Sequence, residues 1–67
     1  MLLYIDALSY EDYDKMVAFL LEHEVEMVDR NKVKMCVLAE TTPELVKQMK
    51  KEVDFKDPIS FGQKPLS

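Results

Sequence analysis

Apolar residues in this chain change their spacing along its length, and the order of the changes limits the fold more than any other feature. Residues 2–7, Leu-Leu-Tyr-Ile-Asp-Ala, are a short apolar run rich in strand formers and too brief for a helix. Both of its faces are largely apolar, so the spacing predicts a strand in the middle of a sheet. Ser9 then stands as an N-cap with Asp12 three residues on, and Glu11 and Asp12 put negative charge in the first turn. Tyr13, Met16, Val17 and Leu20 follow at helical spacing, flanked by Tyr10 and Leu21, and predict a helix over 10–23. No glycine marks its end, so the boundary is soft.

Residues 25–30 and 33–39 read as a hairpin around Asn31, a residue type that tolerates the left-handed backbone of tight turns. Loop length decides which side chains share a face. A two-residue loop, Asn31-Lys32, mixes apolar and charged residues on both faces. A three-residue loop, Arg30-Asn31-Lys32, gathers Val25, Met27, Val33, Met35 and Val37 on one face. Glu26, Val28, Lys34, Cys36 and Leu38 then share the other. Burial of one face fixes register, so the three-residue loop is the expected one.

Thr41-Thr42-Pro43-Glu44 opens a second helix, expected over 43–53. Either Thr41 and Glu44 form a capping box, or Thr42 caps and Pro43 takes the first helical position, where its missing N–H costs nothing. Leu45, Val46, Met49 and Val53 line one face, and Lys47, Lys50 and Lys51 suit the negative end of the dipole. Asp57-Pro58 then punctuates, and Ile59-Ser60-Phe61 alternates before Gly62. This predicts a short edge strand over 58–61, with Pro58 tolerated at its start. Residues 1–62 are expected to form a single domain and 63–67 a flexible tail.

Strand, helix, strand, strand, helix, strand is the βαββαβ order of the split-βαβ, ferredoxin-like α+β sandwich. The expectation is a four-stranded antiparallel sheet with both helices on one face, strands 1 and 3 central and strands 2 and 4 at the edges. Leu3, Ile5 and Ala7 then point into the core. Leu2, Tyr4, Val28, Cys36 and Leu38 form an apolar patch on the opposite face, beside Asp6, Glu26 and Lys34. Patches of this kind often mark interaction sites. Many unrelated modules share the topology, including amino-acid sensors, RNA-binding domains, metallochaperones, propeptides and phage inhibitors, so the topology alone assigns no function.

Little in the sequence supports chemistry. One glycine, Gly62, excludes Gly-rich phosphate loops and dinucleotide fingerprints. One histidine, His23, and one cysteine, Cys36, make neither a metal site nor a catalytic triad. His23 reads as a surface residue at a helix end, and Cys36 as a structural thiol. Glu11, Asp12 and Asp14 read as solvated acids at a helix start. No catalytic residue, cofactor or metal ligand is expected.

A net charge of −4 gives no electrostatic reason to hold a phosphate backbone or an anionic membrane. An RNA-binding face would also need aromatics on both central strands, and only Tyr4 is present. The lysines of the second helix, with Lys56, make a small basic patch that reads as a solvated helix face. Met1–Asp6 is too short for a signal-peptide core, and no apolar run reaches the ~20 residues of a membrane span; a cytoplasmic protein is expected.

A chain of 67 residues has a thin core and no disulfide to staple it, which favours self-association. The functional expectation is a small non-catalytic protein-interaction module. It would form a homo-oligomer or mask a partner protein, through the open sheet face or the edge strand 25–30. Short, acidic, motif-free chains are also what phages and mobile elements encode to bind host proteins. The alternative is a small-molecule-sensing regulatory domain.

Overall fold

In the computed structural model, which describes residues 1–63, β1 (Leu2–Asp6) lies between β3 (Cys36–Glu40) and β4 (Ser60–Gln63) and pairs antiparallel with both. β2 (Glu26–Asn31) pairs with the free side of β3, giving the sheet order β2-β3-β1-β4. The helices α1 (Tyr10–Glu22) and α2 (Pro43–Glu52) complete the βαββαβ order. Read from its other edge, the sheet runs 4-1-3-2, the ferredoxin-like arrangement, with strands 1 and 3 central as the sequence predicts.

Alternation along the central strands sets the core. Leu3 and Ile5 of β1 and Val37 and Ala39 of β3 are buried against Met16, Phe19 and Leu20 of α1 and Val46 and Met49 of α2. Both helices therefore cover one face. Phe19, absent from the predicted stripe, is buried, whereas the flanking Tyr10 and Leu21 are more than half exposed.

The helix starts behave as the sequence dictates. Ser9 Oγ accepts the Asp12 N–H at 3.2 Å. Thr42 Oγ1 accepts the Leu45 N–H at 3.2 Å, so Thr42 is the cap and Pro43 enters the first turn. The end of α1 is sharper than expected. His23 caps it, Glu24 takes a left-handed backbone with φ 57°, and the Val25 N–H returns to the Leu20 carbonyl at 2.9 Å. The Glu24 N–H bonds to the Leu21 carbonyl at 3.0 Å, completing a Schellman motif without glycine. A glutamate in that conformation is strained by its Cβ. Glu24→Gly is therefore expected to raise stability by about 0.5–1 kcal/mol, read as a higher urea midpoint at unchanged slope.

The hairpin departs from its expected register. Its loop has four residues, Lys32–Met35, between the Asn31–Cys36 pair. Asn31 Oδ1 accepts the Lys34 N–H at 3.0 Å, the Met35 N–H bonds to the Lys32 carbonyl at 3.1 Å, and Met35 itself has φ 57°. Val33 consequently projects into solvent at 80% exposure instead of joining the core. Val25, Met27 and Met35 pack half-buried against the core beside buried Val37. Lys34 belongs to the loop, not to a strand face. The physical reason is the four-residue turn, which holds Val33 and Lys34 outside both strands, and a β-bulge further along β2 shifts the pairing again. Met27 pairs with Ala39 but Asp29 pairs with Leu38, so Val28 is an extra residue that reverses the in–out parity. The sequence expectation assumed unbroken alternation.

Element boundaries also move: β1 ends at Asp6 rather than at 7, β2 covers Glu26–Asn31 rather than 25–30, and β3 covers Cys36–Glu40 rather than 33–39. α1 ends at Glu22 and α2 at Glu52, each one residue short of expectation. β4 occupies Ser60–Gln63 rather than 58–61, which leaves Pro58 in the preceding loop and takes Gln63 out of the expected tail. Residues 64–67, the rest of that tail, lie outside the described residues.

Asp12 was expected to be solvated but is fully buried. Its carboxylate does not return to the Ser9 N–H. Oδ1 accepts the Lys56 N–H at 3.0 Å and Oδ2 the Asp57 N–H at 2.9 Å, tying the start of α1 to the loop that leads into β4.

Candidate functional site

The pairing register arranges the open sheet face in three rows. Glu26, Glu40 and Leu2 stand opposite one another in the first. Asp29, Leu38, Tyr4 and Gly62 make the second, with the bulged Val28 beside Asp29. Asn31, Cys36, Asp6 and Ser60 make the third. All five candidate residues, Leu2, Tyr4, Val28, Cys36 and Leu38, thus lie on the sheet's uncovered side, with Val28 at its edge.

Their exposures differ. Leu38 is 6% exposed although it stands outside the main core, because Tyr4 and Asp29 flank it directly. It forms the floor of the patch. Leu2, Tyr4 and Cys36 are half-buried, and Val28 is 56% exposed at the bulge. A Cβ added at Gly62 would meet no atom within 4 Å, so there is open space on the β4 side of Tyr4. The sequence reading does not place Gly62 on this face. The signal was available, since an inward Phe61 in a strand forces its neighbour outward.

Carboxylates rim this patch. Glu26, Asp29, Glu40 and Asp6 are all exposed. The Met1 ammonium sits 2.6 Å from Glu40 Oε1. Burial pushes the Cys36 thiol above its ordinary pKa, and the nearby Asp6 and Asp29 add to the shift while Lys34 opposes it. A thiol held protonated is a weak nucleophile.

Elsewhere, an open groove of about 600 Å³ runs beneath the end of α2, lined by Lys50, Lys51, Phe55, Lys56, Pro58 and Ile59 among others. Lys50 Nζ lies over the Phe61 ring, 4.8 Å from its centre. Next to the groove, Lys15 Nζ donates to the Asp54 carbonyl at 2.9 Å. Asp12 offers this region no free oxygen, since both already accept backbone N–H groups. His23 is exposed, with its ring against Phe19 at a centroid separation of 4.1 Å. No group of three or more His, Cys, Asp or Glu among the described residues is placed to hold a metal ion. No helix among them is long and apolar enough to cross a membrane.

Comparison with family models, with curated proteins and with solved structures gives no match. The geometry of the chain is the basis for any functional reading.

Proposed function

We propose that this protein is a non-catalytic interaction module that masks a surface of another protein with its open sheet face. The observation that carries the reading is the strip of Tyr4 and Leu38, left uncovered by either helix and bordered by the open space at Gly62. Apolar strips ringed by polar groups are a common form of protein interface. The module works in the cytoplasm, where a free thiol such as Cys36 stays reduced.

Gly62→Val tests this reading without disturbing the fold, since the site is spacious, its φ is not positive, and valine suits a strand. The tagged protein and this variant are compared by affinity capture from the native host. A partner retained by the native chain and lost by both Gly62→Val and Tyr4→Asp, with melting temperatures of the first unchanged within about 2 °C, is the expected result. Equal retention by both variants refutes the reading.

A second reading uses the groove beneath α2, where Lys50, Lys51 and Lys56 stand beside Glu52, Asp54 and Asp57, for a small polar metabolite. Its expected signature is a melting temperature raised by a ligand and not raised after Lys50→Ala and Lys56→Ala. A metabolite screen with no such shift removes it.

A further inference from the structure

Resting on the interaction-face reading, we infer that the partner element is a basic amphipathic helix, and that the face is built against pairing with its own copy. Four exposed carboxylates surround the apolar strip: Glu26 and Asp29 along the β2 edge, Glu40 at one end and Asp6 at the other. Among the described residues the cations near this face are Lys34 in the hairpin loop, Arg30, which pairs with the inward Val37 at the β2 edge, and the Met1 ammonium, which offsets Glu40 and leaves Glu26, Asp29 and Asp6 without an ion pair. Lys47, Lys50, Lys51 and Lys56 are instead on α2 and the loop after it. The sheet face therefore carries a negative field over an apolar floor.

Glu26 stands directly opposite Glu40 across the β2–β3 pair. Like charges facing across a strand pair are unfavourable for the fold; the Met1 ammonium already offsets Glu40, and Glu26 is the member of the pair that a partner's cation meets. A two-fold self-pairing does the reverse, because an isologous contact sets the same carboxylate rim against itself. A partner with lysines or arginines flanking an apolar stripe meets both the floor and the rim.

The dimensions fit a helix. Leu2 and Asp6 are four strand steps apart, about 14 Å, and a helix with its side chains is about 10–12 Å across. An apolar helix seated over Tyr4 and Leu38 thus has acid at either side. The space beside Tyr4 at Gly62, on the one edge without a carboxylate, receives an apolar side chain of the partner.

The test titrates the ¹⁵N-labelled protein with three synthetic helical peptides sharing one leucine stripe, with flanks of lysine, glutamine or glutamate. The lysine peptide is expected to shift the amides of Tyr4, Leu38 and Gly62 and to weaken as salt is raised. Its affinity is expected to fall roughly tenfold in the neutralised variant Glu26→Gln/Asp29→Asn/Glu40→Gln, and to be lost in Gly62→Val. Three results would each overturn the inference. One is a glutamine peptide that binds the same amides as tightly and ignores neutralisation, which leaves the interaction face standing with a neutral partner. Another is a lysine peptide that shifts the acidic side of α1 instead of the sheet. The third is a dimer of the protein alone, in sedimentation, whose protected amides are those of the open face. Failure of the interaction-face reading itself is read separately, from equal partner capture by the native and Gly62→Val chains.

Discussion

Replacing Asp12 by alanine is expected to destabilise the fold more than the loss of any other charged side chain, lowering the melting temperature by about 10 °C. Asp12 is fully buried, and its two oxygens accept the N–H groups of Lys56 and Asp57 while its own N–H is capped by Ser9. Removing the carboxylate leaves two backbone donors without acceptors at the junction between α1 and the loop before β4. Asparagine keeps the shape but presents one oxygen where two are needed, so Asp12→Asn is expected to fall between alanine and the native protein.

The effect has a pH signature. The Lys56 N–H holds the Asp12 carboxyl below the ordinary aspartate pKa; burial opposes this, and the Asp57 N–H, Lys15 and Ser9 reinforce it. A depressed folded pKa means that the unfolded chain binds the proton more readily. Stability from this group is thus fully present above the unfolded aspartate pKa of about 3.9 and is lost as pH falls from there through the lower folded value. Urea denaturation of the native protein is expected to weaken across that acid window. The Asp12→Asn protein is expected to show a flatter limb there. A variant with the same slope as the native chain would show that the carboxylate does not carry the link.

Ile5→Ala is expected to cost about 2–5 kcal/mol, the usual range for emptying a fully buried aliphatic site. Ile5 has no exposed surface and stands between Val37 and Phe61 in the central strand, under the helices. A domain of this length has a total stability of about 3–10 kcal/mol, so the variant is expected to lose a large share of it, read as a melting temperature lowered by more than about 10 °C in circular dichroism. Ile5→Val, which removes one methylene, is expected to cost about 0.5–1.5 kcal/mol and stay folded. Near-native behaviour of the alanine variant would mean that the sheet is not buried as described. The same logic makes Leu38 a poor probe of binding. It lies on the open face but is itself buried, so a charged replacement there reports folding before it reports any partner.

Local signals in the sequence were read correctly where the physics is local. Ser9 and Thr42 cap helices through contacts three residues away, and the alternation of Leu3 with Ile5 and of Val37 with Ala39 reports burial of one sheet face. The features that escaped are non-local or parity-changing. Asp12 reads as an ordinary helix-start acid because its acceptor role depends on backbone 44 and 45 residues further on. Val33 reads as core because a period-two pattern extends the strand through it, whereas the turn takes four residues and leaves it outside both strands. Glu24 closes α1 in a conformation that sequence rules assign to glycine. The candidate face was legible as a set of apolar positions. Its buried floor at Leu38, the open space at Gly62 and its full acidic rim needed the pairing register.

The bulge at Val28 has a consequence for life at high concentration. An edge strand with a regular row of unsatisfied N–H and C=O groups invites a second chain to extend the sheet, and repetition of that step produces fibres. β2 is such an edge, yet its row is broken at the bulge and it carries the charged side chains of Glu26, Asp29 and Arg30. A strand approaching from solvent finds no continuous ladder to join. The chain can therefore keep one sheet face bare without its flank becoming a template for fibre growth.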